Sequence, residues 1–273
     1  MHATWVIAKK ELRDAVSGRW LFGFAATFAL VAFAIANVNS AGGSFQDQGF
    51  NRTTAAMISL CTLLVPLLAL VLGSVSVAGE RERGTLATML VHPVSTTEVL
   101  IGKYAGLTVA IWLSIALGFG AGGVLIGLTS PLADVTHYFV FMVLAAALAS
   151  ASLSVGVFLS VFCDSRLKAL SLAILAWFAL VFVYDLGAIA VLLSVSSSGE
   201  TLTAAVLGNP VEAIRVLAIM SLEPDMEVLG PLGAYMADQF GVRASAFLLL
   251  GALAAWVVAP LLAATTLFAG DDA

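Results

Sequence analysis

Six apolar runs of about twenty residues dominate this chain, at 20–38, 57–79, 105–128, 137–162, 169–195 and 245–269, and they contain one acid, Asp185, and no lysine or arginine. A helix of that length crosses ~30 Å of hydrocarbon. Inside a bilayer only helices and closed barrels satisfy every backbone N–H and C=O, and these runs are about twice as long as a barrel strand. The expected fold is therefore all-α, a polytopic membrane protein with six transmembrane helices. Composition closes the other classes: 61% of the 273 residues are hydrophobic and 11% are charged, against about a quarter charged in a soluble domain. Mean hydropathy is +1.05. So few charges cannot cover a soluble fold, and disordered and fibrous chains are excluded too. A net charge of -5 leaves no electrostatic basis for nucleic-acid binding. Two cysteines, Cys61 and Cys163, build no disulfide framework.

Lysine and arginine set the expected orientation. Lys9, Lys10, Arg13 and Arg19 precede the first run, Arg81, Arg83 and Lys103 lie between the second and third, and Arg166 and Lys168 lie between the fourth and fifth. The alternate segments hold only Arg52, Arg215 and Arg243. This predicts an inner (cytoplasmic) membrane protein with both termini cytoplasmic. The charged head and full-length first run read as a retained anchor rather than a cleaved signal. Over residues 4–19, helical periodicity sets Trp5, Ala8, Leu12 and Ala15, with Trp20 beyond, on one face and Lys9, Lys10, Arg13 and Ser17 on the other. An amphipathic helix of this kind suits the bilayer interface; a positively charged flank that only sets topology is the simpler alternative.

The segment 80–98 is the most informative. Glu80, Arg81, Glu82 and Arg83 alternate in charge at the end of a run, Gly84 and Thr85 follow, and Leu86, Met89 and Leu90 make a short apolar face at i, i+3, i+4. Pro93 ends that face, and Ser95-Thr-Thr-Glu98 has the form of a capping box opening the next helix. A short helix held between two spans can transmit force; equally, the charges can simply mark the membrane boundary.

The string Gly79-Glu-Arg-Glu-Arg-Gly-Thr85, followed by Leu90, Pro93-Val-Ser95, Glu98 and Gly102-Lys103, resembles the signature of ABC-2 type transporter permeases. The resemblance extends over the whole chain: an N-terminal interfacial helix, six spans, and a long outer segment before the last. It implies that the short helix is a coupling helix docking into a groove of a separate ATPase, with Glu80, Arg81, Glu82, Arg83, Gly84, Thr85, Leu86, Met89 and Leu90 as the coupling residues. It further implies two ATPase copies, a second permease copy, and no cofactor. A narrower resemblance lies in Trp5-x-Ile-Ala-x-Lys-Glu-Leu12 and Leu207-Gly-Asn-Pro-Val-Glu-Ala-Ile-Arg215, which are similar to permease subunits of the transporters that mature nitrous oxide reductase. That implies a sulfur or copper cargo, assembly of copper–sulfur centres, and a periplasmic maturation partner. Export of a drug, lipid or polysaccharide, a scaffold relaying ATPase motion, and an intramembrane enzyme are the alternatives.

The only Gly-Lys pair, Gly102-Lys103, lacks the glycine and hydroxyl of a phosphate-binding loop, so ATP hydrolysis is expected in another polypeptide and the chain is read as a non-enzyme. His2, His92 and His137 are far apart, and Met220, Met226 and Met236 have no tight spacing, so no metal site is assigned. Asp185 is a translocation-path candidate, since a carboxylate in the bilayer costs roughly 2.5–3.5 kcal/mol on insertion scales. It either faces a path or bonds a partner helix, or it lies where the fifth span ends or unwinds. Ser152, Gly156 and Ser160 recur every four residues, which permits close helix approach. Pro66 and Pro260 predict bends. Across the outer segment, 196–244, residues 194–199 read as a turn, Asn209-Pro210-Val-Glu212 as a helix start running to about Leu222, and 233–240 as a second helix. These form a small acidic cap, serving as a lid, a partner surface or a re-entrant pair.

Overall fold

The computed structural model describes residues 2–18, 20–40, 49–86, 94–129, 135–194, 199–222 and 229–270. All regular structure among them is helical: α1 His2–Ser17, α2 Trp20–Ser40, α3 Gly49–Glu82, α4 Thr96–Thr129, α5 Val135–Phe162, α6 Arg166–Phe178, α7 Tyr184–Ser194, α8 Gly199–Leu207, α9 Pro210–Leu222, α10 Gly230–Gln239 and α11 Val242–Gly270. A π-helical turn, Ala179–Val183, joins α6 to α7 without interrupting the rod. Five stretches are long and apolar enough to cross a membrane: Ile58–Glu82, Thr96–Ala121, Phe139–Phe162, Arg166–Ala190 and Val242–Ala269. The bent pair α8 and α9, turning through 112°, makes a sixth if it is counted as one broken span. The first apolar run forms α2, whose 21 residues reach about 31 Å at 1.5 Å per residue. The chain is a polytopic membrane protein.

The core is built on α3 against α5, with α4 bracing α1 and α2. Lipid supplies no hydrophobic drive between helices, so close contact depends on small residues. Gly73 and Gly156 meet here: a Cβ on Gly156 would lie 2.6 Å from the Leu70 carbonyl oxygen, and one on Gly73 would lie 2.7 Å from that of Leu153. One turn further on, the Ser160 hydroxyl oxygen accepts from the N–H groups of Val77 (2.8 Å) and Ala78 (2.9 Å). The Ser152–Gly156–Ser160 face thus packs within the chain. Interhelical hydrogen bonds add to this. Ser154 Oγ donates to Val257 O (2.6 Å), Ser114 Oγ to Leu21 O (3.0 Å) and Trp177 Nε1 to Leu63 O (2.9 Å).

α3 and α11 run through Pro66 and Pro260 as single helices. α6, α7 and α11 sit at the periphery, leaving Leu175, Phe178, Leu186, Ile189, Phe247 and Leu262 exposed, as a lipid-facing surface requires. The packed face of α1 keeps Ala8, Leu12 and Ala15 of the expected one, with Ile7 in place of Trp5. Ile7 and Ala15 are buried and Glu11 lies between them, whereas Trp5 and Val6 are exposed. The stripe i, i+4, i+8 carries a carboxylate inward, which apolar periodicity alone does not anticipate. In the outer segment, residues 195–198 lie outside the described residues. Gly199 begins a helix, α8, where sequence pattern suggested only a turn.

Candidate functional site

Two clusters of charge stand out, one at each end of the bundle. The first contains the segment read as coupling. α3 continues past Gly79, so Glu80, Arg81 and Glu82 form its last turn. The helix stops at Arg83-Gly84, where Gly84 takes φ 70°, a left-handed conformation that glycine adopts without Cβ strain. Its N–H donates to Arg81 O at 3.1 Å. Thr85 Oγ1 donates to Glu80 O (3.3 Å), and Leu86 is buried in the core. Residues 87–93, with Met89 and Leu90, lie outside the described residues. Beyond them the capping box is present: Ser95 Oγ accepts from Glu98 N and Glu98 Oε2 accepts from Ser95 N, both at 3.2 Å.

The charges at the end of α3 are engaged within the chain. Glu80 Oε1 lies 2.7 Å from Lys103 Nζ and 3.5 Å from Lys10 Nζ, and Lys103 Nζ also donates to Glu11 Oε1 at 2.8 Å. Lys103 is only 1% exposed, among the largest fully buried side chains described. Glu80 Oε2 is buried with no hydrogen-bond partner among the described residues. The Lys10 ammonium is held above the ordinary lysine range: burial pushes it down, and the Glu11 and Glu80 carboxylates outweigh burial.

The next two residues brace the α5–α6 turn. Arg81 Nη1 donates to Val161 O (3.1 Å) and Cys163 O (3.4 Å) at the C-terminal end of α5. Glu82 Oε2 accepts from Arg166 N (2.8 Å) in the first turn of α6. A cation at one helix C-terminus and an anion at the next N-terminus both oppose the helix dipoles favourably. Exposed surface therefore begins at Glu82 and continues over Arg83, Gly84 and Thr85.

The second cluster holds Asp185. α7 stays helical for nine residues beyond it, with the π turn immediately before it. Asp185 Oδ2 is 3.3 Å from Arg215 Nη1 on α9, and the same nitrogen bonds Glu212 Oε1. Asp185 Oδ1 is buried without a partner among the described residues. Around the cluster, Asn209 Nδ2 donates to Leu180 O within the π turn (2.7 Å) while Asn209 Oδ1 accepts from Val211 N (2.9 Å), capping α9. Tyr184 Oη donates to Ala205 O, and Trp256 Nε1 donates to Leu207 O (3.2 Å). The bent α8–α9 pair is thus pinned to the π turn, α7 and α11. Among the described residues no three His, Cys, Asp or Glu side chains converge as metal ligands. Met220 and Met236 are buried in the core.

Glu11, Lys103, Glu212 and Arg215 stand in the sequence only as members of motif strings and of the charge count, with no site role attached to them. The available signal was Gly102-x-x-x-Gly106, a small-residue pair flanking Lys103. A Cβ on Gly102 would meet the Thr4 carbonyl oxygen at 2.9 Å, and one on Gly106 would meet that of Ala8 at 2.5 Å. The glycines therefore bring α1 onto α4 and Glu11 within reach of Lys103.

Comparison with known proteins agrees with this architecture. A family model described as ABC-2 family transporter protein matches residues 5–273. The chain is 31% identical to a protein of Stutzerimonas stutzeri described as "Probable ABC transporter permease protein NosY", covering 98% of each chain. It is also 31% identical to a Pseudomonas aeruginosa protein of the same description, again over 98% of each.

Proposed function

The chain belongs to the ABC-2 family of transporter proteins, and from this we propose that it is the permease subunit of an ATP-driven transporter serving the maturation of nitrous oxide reductase. The observation that carries the reading is the relationship at 31% identity over 98% of both chains to proteins described as NosY permeases. In this reading the chain sits in the inner membrane with both termini cytoplasmic, pairs with a second permease copy, and is driven by two ATPase subunits. Its cargo is a sulfur or copper species passed to a periplasmic maturation partner. ATPase docking falls on 80–98, with the exposed Arg83, Gly84 and Thr85 as its first contacts. The inward-turned Glu80 and Arg81 hold that segment in place.

A second reading, relay of ATPase motion to an outer partner without cargo, is favoured by the four side-chain bonds that pin α8 and α9 to the π turn, α7 and α11. Such a cap would move with the spans.

The test is deletion and complementation. A strain lacking the chain is expected to make nitrous oxide reductase without its copper–sulfur centre, read by visible absorption, and the intact chain restores it. Arg83→Glu should reduce both restoration and ATPase co-purification while membrane level stays normal, because it reverses an exposed charge at the docking surface. A fully assembled copper–sulfur centre in the deletion strain would remove the pathway assignment.

A further inference from the structure

We infer that Lys103 is a positioning residue that, through Glu11 and Glu80, locks α1 to the ATPase-facing end of α3, so that the N-terminal helix moves with the coupling segment as one unit. This rests on the permease reading above and extends it to α1. Three helices meet at one ammonium: Glu11 Oε1 of α1 at 2.8 Å, Glu80 Oε1 of α3 at 2.7 Å, and Lys103 itself on α4. Lys103 is 1% exposed and Glu80 7%, so water does not screen the pair. Elsewhere α1 is held by the Ile7, Ala8, Leu12 and Ala15 face against α4, where Gly102 and Gly106 admit its backbone. Apolar contact of that kind is non-directional. It lets one helix slide along another, whereas two charge-assisted bonds at under 3 Å fix register.

Lys10 approaches the same acids from the surface, at 3.5 Å from Glu80 and 3.4 Å from Glu11. Glu80 Oε2 is left open as a further acceptor, so the tie can re-pair without breaking when α3 shifts. Force applied just after Glu82 would therefore reach α1 through Glu80 and Lys103 before any contact within the bilayer.

The experiment uses the full transporter with its ATPase in vesicles. Val16→Cys, on the exposed side of α1, reports α1 by its rate of reaction with a soluble maleimide, with and without ATP. Expected is a nucleotide-dependent rate change of about threefold when the tie is intact. In Glu11→Gln/Lys103→Met that change is lost and maturation activity falls about tenfold, in the usual range for coupling between sites. ATPase co-purification remains, because removing acid and base together leaves Glu80 with Lys10 and avoids an orphaned buried ammonium. Lys103→Arg keeps the charge and restores the rate change in part. The inference is overturned if the double variant retains both rate change and activity. It is overturned equally if α1 reacts at the same rate with and without ATP in the intact complex. If the unmutated chain fails to co-purify with any ATPase, the permease reading fails instead. A misfolded double variant is recognised by lost co-purification, and Glu11→Gln alone then provides the comparison: an unchanged nucleotide response there overturns the tie.

Discussion

At the scale of single residues, Asp185 is explained by a partner: its carboxylate meets Arg215, which also bonds Glu212. Two acids share one guanidinium, so removing the arginine is worse than removing either acid. Arg215→Met should lower stability by about 1 kcal/mol, allowing for the partly exposed setting, or about 2–4 °C in melting temperature. Asp185→Asn in the same chain should recover part of that loss. Cys61 and Cys163 are buried, so a thiol-reactive dye reports unfolding directly in detergent. If Arg215→Met melts at the native temperature, the cluster has no structural role. If Asp185→Asn restores the melting temperature but not activity, Asp185 acts on the translocation path as well.

At the scale of elements, the α3–α5 contact depends on missing side chains. Gly156→Ala would set a methyl 2.6 Å from the Leu70 carbonyl oxygen, and backbone atoms on both sides leave no soft side chain to yield. Overpacking of this kind costs about 1–3 kcal/mol, so the variant should melt clearly below the native protein. Gly23→Ala, with nothing within 4 Å of its added Cβ, should not. Equal melting temperatures for the two would show that α3 and α5 are less tightly apposed. The same physics decides where α3 ends. Gly84 in a left-handed conformation terminates it beyond Glu82, so the charged residues belong to the span's last turn.

For the whole molecule, the orientation proposed from lysine and arginine is open to topology reporters. Fusions after Gly84, Arg166 and Ala273 should report the cytoplasm, and those after Gly43, Ser130 and Glu223 the outside. A cytoplasmic signal after Glu223 would turn the α8–α9 pair into part of the inner face and reassign the Asp185 cluster with it. An outer signal at Ala273 would mean that the bent α8–α9 pair crosses the bilayer as an extra span.

Sequence by itself determined the class of molecule, because transfer of apolar residues into a bilayer is nearly additive along the chain. It determined the local signals for the same reason: the Ser95–Glu98 capping box, the Asn209 cap and the small-residue face of α5 involve neighbours within eight residues. The tertiary structure alone decided which charges meet. Glu11 and Lys103 are 92 positions apart, Lys10 and Glu80 are 70 apart, and Asp185 and Arg215 are 30 apart. No periodicity links such pairs. Glu11 reaches Lys103 where Gly102 and Gly106 let α1 close on α4, and an ion pair that reaches about 3 Å is sensitive to every ångström of that approach.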